Sequence, residues 1–204
     1  MRILMLGNSF TYFHGMPRLL AALTGAEVAS HTRGGANLGE QYNPETEMGA
    51  RTLRALAEEK WDYVVLQEQS AGPFANAKAF REHVTELCRL IRANGAVPVL
   101  YLTWAYREGS EKLAKTGLSY AEMKQALSDA YHAAAAENGA LIADVGDAFF
   151  RVTAEMKAYD PDGTRSDTVD LYVPDDYHPS AAGSILAASV IAKTIENHRA
   201  GLGK

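Results

Sequence analysis

Short apolar runs alternate with longer amphipathic segments from one end of this chain to the other, and that alternation leaves few folds open. The runs Arg2–Leu6, Ala26–Thr32, Tyr63–Gln67, Val97–Thr103 and Ala140–Asp144 read as strands. Helical spacing of apolar residues fills the gaps, over about Met16–Leu23, Glu45–Glu59, Ala75–Ala93, Tyr120–Asn138, Ala148–Lys157 and Ala181–His198. The clearest helix opens on Ser119 with Glu122 three residues on, the pattern of a capping box, and Gly139 stands where it should stop. Its stripe Tyr120, Met123, Leu127, Tyr131, Ala134 keeps the period of one helix face. A strand apolar at every position, such as Tyr63-Val64-Val65-Leu66, must be buried on both sides. The expected fold is therefore α/β, with a five-stranded parallel sheet covered by helices on both faces as a three-layer α/β/α sandwich. At 204 residues, with no linker, repeat or low-complexity tract, residues 1–204 read as one domain.

Charge and cysteine content narrow the function classes. A net charge of −5 argues against a nucleic-acid partner, because phosphate binding needs a basic surface. The apolar runs fall far short of the roughly 20 residues that span a bilayer, so no membrane partner is expected. The N-terminal apolar run meets Gly7-Asn8-Ser9 too early for a signal peptide, so a cytoplasmic location is expected for the chain as given. Cys88 is alone and in register with Phe80, Val84, Leu87 and Ile91, as a buried structural thiol would be.

In a parallel sheet of this kind, ligands bind beyond the carboxyl ends of the strands. Ser9, Gly35 and Gln69 each follow such an end, so three separate segments bring polar groups to one edge. Near the other terminus lies Asp175-x-x-His178. A turn there lets Asp175 accept from Nδ1 of His178 and leaves Nε2 as a base for Ser9, which a serine hydroxyl needs before it can attack. Pro179 and Ser180 then open the last helix.

Gly7-Asn8-Ser9 at the first strand, Gly34-Gly35-Ala36 after the second, and Asp175-x-x-His178-Pro179-Ser180 before a C-terminal helix together resemble the SGNH (GDSL-like) hydrolase superfamily. The resemblance implies a flavodoxin-like sandwich and ester hydrolysis, commonly deacylation of carbohydrates, lipids or thioesters. It makes Ser9 the nucleophile, Gly35 an oxyanion-hole amide beside that of Ser9, and Asp175 with His178 the rest of the triad. The superfamily usually carries Gly-x-Asn-Asp after the third strand. Here Gln67-Glu68-Gln69-Ser70 stands there, with Gln69 at the asparagine position and one methylene longer. Gln69 is the expected third oxyanion donor, with Gln67 as the alternative.

Asn8, Gln67 and Trp104 are the candidate substrate-binding residues, since an aromatic after the fourth strand can stack on a sugar or wall an acyl pocket. His31, His83, His132 and His198 read as surface or strand-end residues, and His14 as a surface residue near the pocket rim. The acidic stretch from Asp160 to Asp170 lacks the spacing of a calcium loop, so neither metal nor cofactor is expected. The overall expectation is a serine esterase for small, chiefly acetyl, esters, with carbohydrates as candidate substrates. A thioesterase, a lipid deacylase or a non-catalytic glycan-binding module on the same fold are the alternatives.

Overall fold

The computed structural model describes the chain except Pro161, Gly163, Gly203 and Lys204, and no side-chain placement is described for Leu202. The acidic stretch considered above thus lies partly outside the described residues. Five strands, β1 (Arg2–Gly7), β2 (Glu27–Thr32), β3 (Tyr63–Leu66), β4 (Val97–Leu102) and β5 (Leu141–Asp144), form one parallel sheet in the order β2-β1-β3-β4-β5. Around them run α1 (Ser9–Tyr12), α2 (Met16–Thr24), α3 (Glu47–Glu58), α4 (Gly72–Ala75), α5 (Ala77–Asn94), α6 (Glu111–Ala114), α7 (Tyr120–Asn138), α8 (Val145–Tyr159) and α9 (Ala181–Leu202).

Strand residues alternate between two cores because successive side chains leave opposite faces of a pleated sheet. Leu4, Leu6, Val64, Leu66, Leu100 and Leu102 pack under α3, α5 and α7. Ile3, Met5, Tyr63, Val65, Val99 and Tyr101 pack under α2, α8 and α9. This is the three-layer sandwich expected from the alternation. Each fully buried Leu, Ile or Val of this set contributes about 1.5–3 kcal/mol relative to exposure. Cys88 lies in the first core, and burial pushes its thiol up to about 11.

Element ends follow local chemistry. Ser119 Oγ accepts from Glu122 N at 3.3 Å while Glu122 Oε2 accepts from Ser119 N at 2.8 Å, which closes the capping box of α7. Gly139 ends that helix at φ 55°, a left-handed conformation that favours glycine. Helix α8 starts at Val145 and not near Ala148, because Asp144, the last residue of β5, also caps it by accepting from Asp147 N at 2.9 Å. The short helices α1, α4 and α6 were not expected from the sequence, since a single turn carries no hydrophobic period.

Among the described residues, no helix is long and apolar enough to cross a membrane. The order β2-β1-β3 also fixes where a site can form. The chain leaves β1 to one side and returns to β3 on the other, so a crevice opens at their carboxyl ends.

Candidate active site

Ser9 follows β1 at the first position of α1. Asn8 caps that turn, its Oδ1 accepting from Phe10 N at 3.1 Å and its carbonyl from Thr11 N and Tyr12 N. The Asn8 amide hydrogen is held from below by Gln67 Oε1 at 2.9 Å, which also accepts from Thr11 Oγ1 at 2.9 Å. Gly7 is needed at this point, since a Cβ there would lie 2.5 Å from Gln67 Oε1 and closer still to Thr11 Oγ1. Asn8 Nδ2 donates to Ala36 O at 2.9 Å and so ties the Ser9 turn to the loop after β2. In that loop Gly35 adopts φ 70°, which an L-residue with a side chain takes up only under strain.

The histidine is delivered by a small antiparallel hairpin, bridged at Tyr172 and Pro179, with Val173 N donating to His178 O at 3.1 Å. Within it Asp175 Oδ2 lies 2.6 Å from His178 Nδ1, while Oδ1 accepts from the backbone N–H of His178 at 2.9 Å and of Tyr177 at 3.1 Å. Burial pushes the Asp175 carboxyl up, but these hydrogen bonds outweigh it and hold the group below its ordinary range. His178 Nε2 lies 2.7 Å from Ser9 Oγ. Phe13 stacks on the imidazole at 4.2 Å between centroids, so the ring is fixed by packing as well as by hydrogen bonds. Ser9, His178 and Asp175, 169 residues apart at the extremes of the set, thus form one continuous line of hydrogen bonds.

The cleft over Ser9 holds about 340 Å³ and is lined by Asn8, Ser9, Gly34, Gly35, Gln69 and His178 together with Phe10, Tyr12, Phe13, Ser70, Lys112 and Tyr177. The Ser9 and Gly35 amides donate to no protein acceptor among the described residues. Gln69 Oε1 accepts from Ala71 N and Gly72 N, both at 3.1 Å. Two N–H donors require an oxygen, so the amide orientation is decided and Nε2 is left to the other side. One Nε2 hydrogen goes to Ser70 Oγ at 3.2 Å, and the second has no protein acceptor among the described residues.

Two expected substrate contacts lie elsewhere. Trp104 is 0% exposed, stacked between Phe10 at 4.6 Å and Phe149 at 4.0 Å, and its Nε1 donates to Tyr177 O at 3.0 Å. It cannot wall the cleft because α8 supplies a second aromatic that encloses it in the core. Gln67 is also 0% exposed, with its oxygen used by Asn8 and Thr11 and its Nε2 donated to Glu68 O. It braces the Ser9 turn from beneath and is not among the residues that line the cleft. Among the histidines, His31 stands at a strand end, one of the two places expected for it, but is buried there against Thr52 and pushed down to about 4 by desolvation.

Several residues around the site gave no signal in the sequence. Glu68, 2% exposed, accepts from Gln69 N at 2.6 Å and Leu38 N at 3.2 Å, joining the loops after β2 and β3 through one carboxyl group. Burial pushes that carboxyl up to about 7, and it pushes His83, whose Nδ1 lies 3.7 Å away, below its ordinary value. Both shifts favour the neutral forms, so this contact is not a strong ion pair. Arg107 grips the hairpin, its N donating to Asp176 O at 2.8 Å and its Nε to Asp176 Oδ1 at 2.7 Å. Phe13 and Tyr177, one turn after Ser9 and one residue before His178, were legible by proximity. Arg107 and Lys112 were not, because only the tertiary fold brings the loop after β4 to the hairpin. Among the described residues, no three His, Cys, Asp or Glu side chains converge as metal ligands.

Residues 5–184 match the GDSL-like lipase/acylhydrolase family. A solved structure from Slackia heliotrinireducens, assigned to the SGNH hydrolases, is similar at 47% identity over 96% of this chain and 98% of its own, with a TM-score of 0.85. A DUF4886 family protein from Bacteroides uniformis is similar at 20% identity over 95% of this chain and 82% of its own, with a TM-score of 0.69. An acetyl xylan esterase is similar at 12% identity over 96% of this chain and 100% of its own, with a TM-score of 0.68. The latter two show the fold alone. No curated protein matches the sequence. The match over most of its length and the SGNH relative at 47% identity place the chain in the GDSL-like lipase/acylhydrolase family of the SGNH hydrolases, enzymes that cleave ester bonds.

Proposed function

We propose that the protein is a serine esterase that removes small acyl groups, acetyl foremost, from polar alcohols, with carbohydrate esters the leading class. The observation that carries this reading is the line Asp175–His178–Ser9, with its two hydrogen bonds of 2.6 and 2.7 Å. In this mechanism Ser9 Oγ attacks the ester carbonyl as His178 Nε2 takes its proton, and the ionised Asp175 stabilises the imidazolium. Negative charge on the carbonyl oxygen is met by the amides of Ser9 and Gly35 and by the second Nε2 hydrogen of Gln69. Nε2 then returns the proton to the departing alcohol. Water, deprotonated by the same nitrogen, cleaves the acyl-enzyme and frees Ser9.

The preference for small acyl groups rests on the size and lining of the cleft. Its 340 Å³ lies at the low end for ligand pockets, and its aromatic rings are interspersed with hydroxyl and amide groups. A long acyl chain would need matching apolar surface along its whole length, worth about 0.8 kcal/mol per buried methylene, and a cleft of this volume has room for only a short chain beside the alcohol. Aromatic rings beside hydrogen-bonding groups suit a sugar, and an acetyl xylan esterase shares the fold.

A fluorophosphonate probe should label the folded protein at Ser9, located by peptide mass spectrometry, and labelling should be lost in His178→Ala. A panel of p-nitrophenyl esters and acetylated sugars should show acetyl to butyryl esters turned over faster than those with more than about eight acyl carbons. Absence of labelling would reject the serine mechanism. Faster cleavage of palmitoyl than acetyl esters would reject the size preference.

A further inference from the structure

Lys112 is the one side chain of fixed charge among those lining the cleft, and no carboxylate lies with it there. The cleft thus carries a lone cation in a molecule whose net charge is −5. Four other lysines sit near acids, Lys157–Glu108 at 2.9 Å, Lys124–Asp147 at 3.1 Å, and Lys78–Glu82 and Lys115–Glu111 at 3.9 Å, while Lys60 donates to the Asn94 carbonyl at 3.2 Å, away from the cleft. Lys112 has no such partner among the described residues. Its Nζ lies 3.4 Å from the centroid of the Tyr177 ring and 5.5 Å from that of Tyr106.

The position is built, not incidental. Ser110 caps α6 by accepting from Leu113 N at 3.1 Å, and Leu113 is buried in the core beneath, which orients the helix that bears Lys112. The Tyr177 ring face attracts the ammonium electrostatically and holds it in place. A ring face satisfies only one side of an ammonium, which has three N–H donors. Tyr177 is also in contact with the imidazole of His178, at 4.1 Å between centroids, and Lys112 lines the same cleft as Ser9 and His178.

We propose that Lys112 forms an anion subsite in the cleft, and that the preferred substrates are esters carrying a carboxylate. The proposal rests on the esterase reading and narrows its substrate class. The carboxylate sits either on the acyl part, as in a half-ester of a dicarboxylic acid, or on the alcohol part, as in an ester of a hydroxy acid. Lys112 pairs with it directly. The aromatic and amide lining takes the rest of the molecule.

The test compares charged esters with neutral partners of similar shape. Mono-4-nitrophenyl succinate is set against 4-nitrophenyl butyrate for the acyl side, and 4-acetoxybenzoate against phenyl acetate for the alcohol side. In Lys112→Met, which keeps the stem and removes the charge, kcat/KM for at least one charged ester should fall about 5–20-fold, mainly through KM. The neutral partner should change little, Lys112→Arg should retain the preference, and added salt should weaken it in the wild type. The pair that responds identifies the side that bears the carboxylate. Equal loss for charged and neutral esters, or no loss for either charged ester, would overturn the subsite. Calorimetric binding of monomethyl succinate and 4-acetoxybenzoate to Ser9→Ala, with and without Lys112→Met, needs no turnover. If the wild type cleaved no ester at all, the esterase reading would fall, while this binding comparison would still decide the subsite.

Discussion

Gln67 and Gln69 carry the same amide group, and the hydrogen bonds each makes decide which of them can meet a substrate. Gln67 spends its oxygen on Asn8 N and Thr11 Oγ1 inside the core, whereas Gln69, which lines the cleft, turns its oxygen into the loop and keeps one Nε2 hydrogen without a protein acceptor among the described residues. Gln69→Ala should therefore lower kcat about 10²–10³-fold with KM nearly unchanged, because an oxyanion donor strengthens only as charge develops. Gln67→Ala should act on folding, costing about 2–4 kcal/mol in denaturant unfolding, since it leaves two buried donors unpaired and a cavity behind. The reverse pattern would exchange the two assignments. The proposed mechanism makes Ser9 and His178 a unit, so Ser9→Ala and His178→Ala should each lower kcat by several orders of magnitude, and the double variant should be little worse than either. Retention of a substantial fraction of turnover by a folded Ser9→Ala protein would remove it as the nucleophile.

The hairpin from Tyr172 to Pro179 is the element that sets His178 against Ser9, and it is too short to hold itself. Asp176 sits at φ 68°, left-handed for a residue with a side chain, a conformation that persists only where its surroundings enforce it. The enforcement comes from outside the hairpin. Arg107 binds both the carbonyl and the carboxylate of Asp176 and reaches Asp170 at 2.9 Å, while Trp104 Nε1 holds the carbonyl of Tyr177. Arg107→Ala should lower kcat on the order of tenfold or more by letting His178 drift from Ser9, as small misplacements of catalytic groups do. Its thermal stability should change far less, because the ion pairs are half-exposed. Arg107→Lys should recover only part of the rate, lacking the planar fork that spans two acceptors. Unchanged turnover in Arg107→Ala would show that the hairpin is held without it.

For the molecule as a whole, the buried Glu68 couples stability to pH. Its carboxyl rises from an ordinary 4.5 to about 7 in the folded state through burial, so folding favours the protonated form. The stabilisation is full below about 4.5, declines as pH rises, and is lost above about 7. The total is on the order of 3 kcal/mol at about 1.4 kcal/mol per pH unit. The stability of wild type relative to Glu68→Gln, from denaturant unfolding at a series of pH values, should fall by that order across this window, while charges elsewhere cancel in the difference. A flat difference would show that Glu68 titrates normally. How much of this was legible beforehand depends on the range of the interaction concerned. The five strands, the long helices and the capping box at Ser119 follow from periodicity and nearest neighbours, which the order of residues alone specifies, and so the parallel sandwich could be expected. The pair Asp175 and His178 was legible for the same reason, being three residues apart in one turn. That Ser9 and His178 meet, 169 residues apart, was an expectation from residue chemistry and resemblance that only the folded chain could turn into a distance. The start of α8 was misread because Asp144 ends a strand and caps a helix at once. Trp104 was misplaced because α8 encloses it, and Lys112, Arg107 and Glu68 went unnoticed. Their surroundings are assembled from loops after different strands, and whether a side chain ends in the core, against a ring face or in a cleft is decided by packing between elements, which no local pattern in the sequence records.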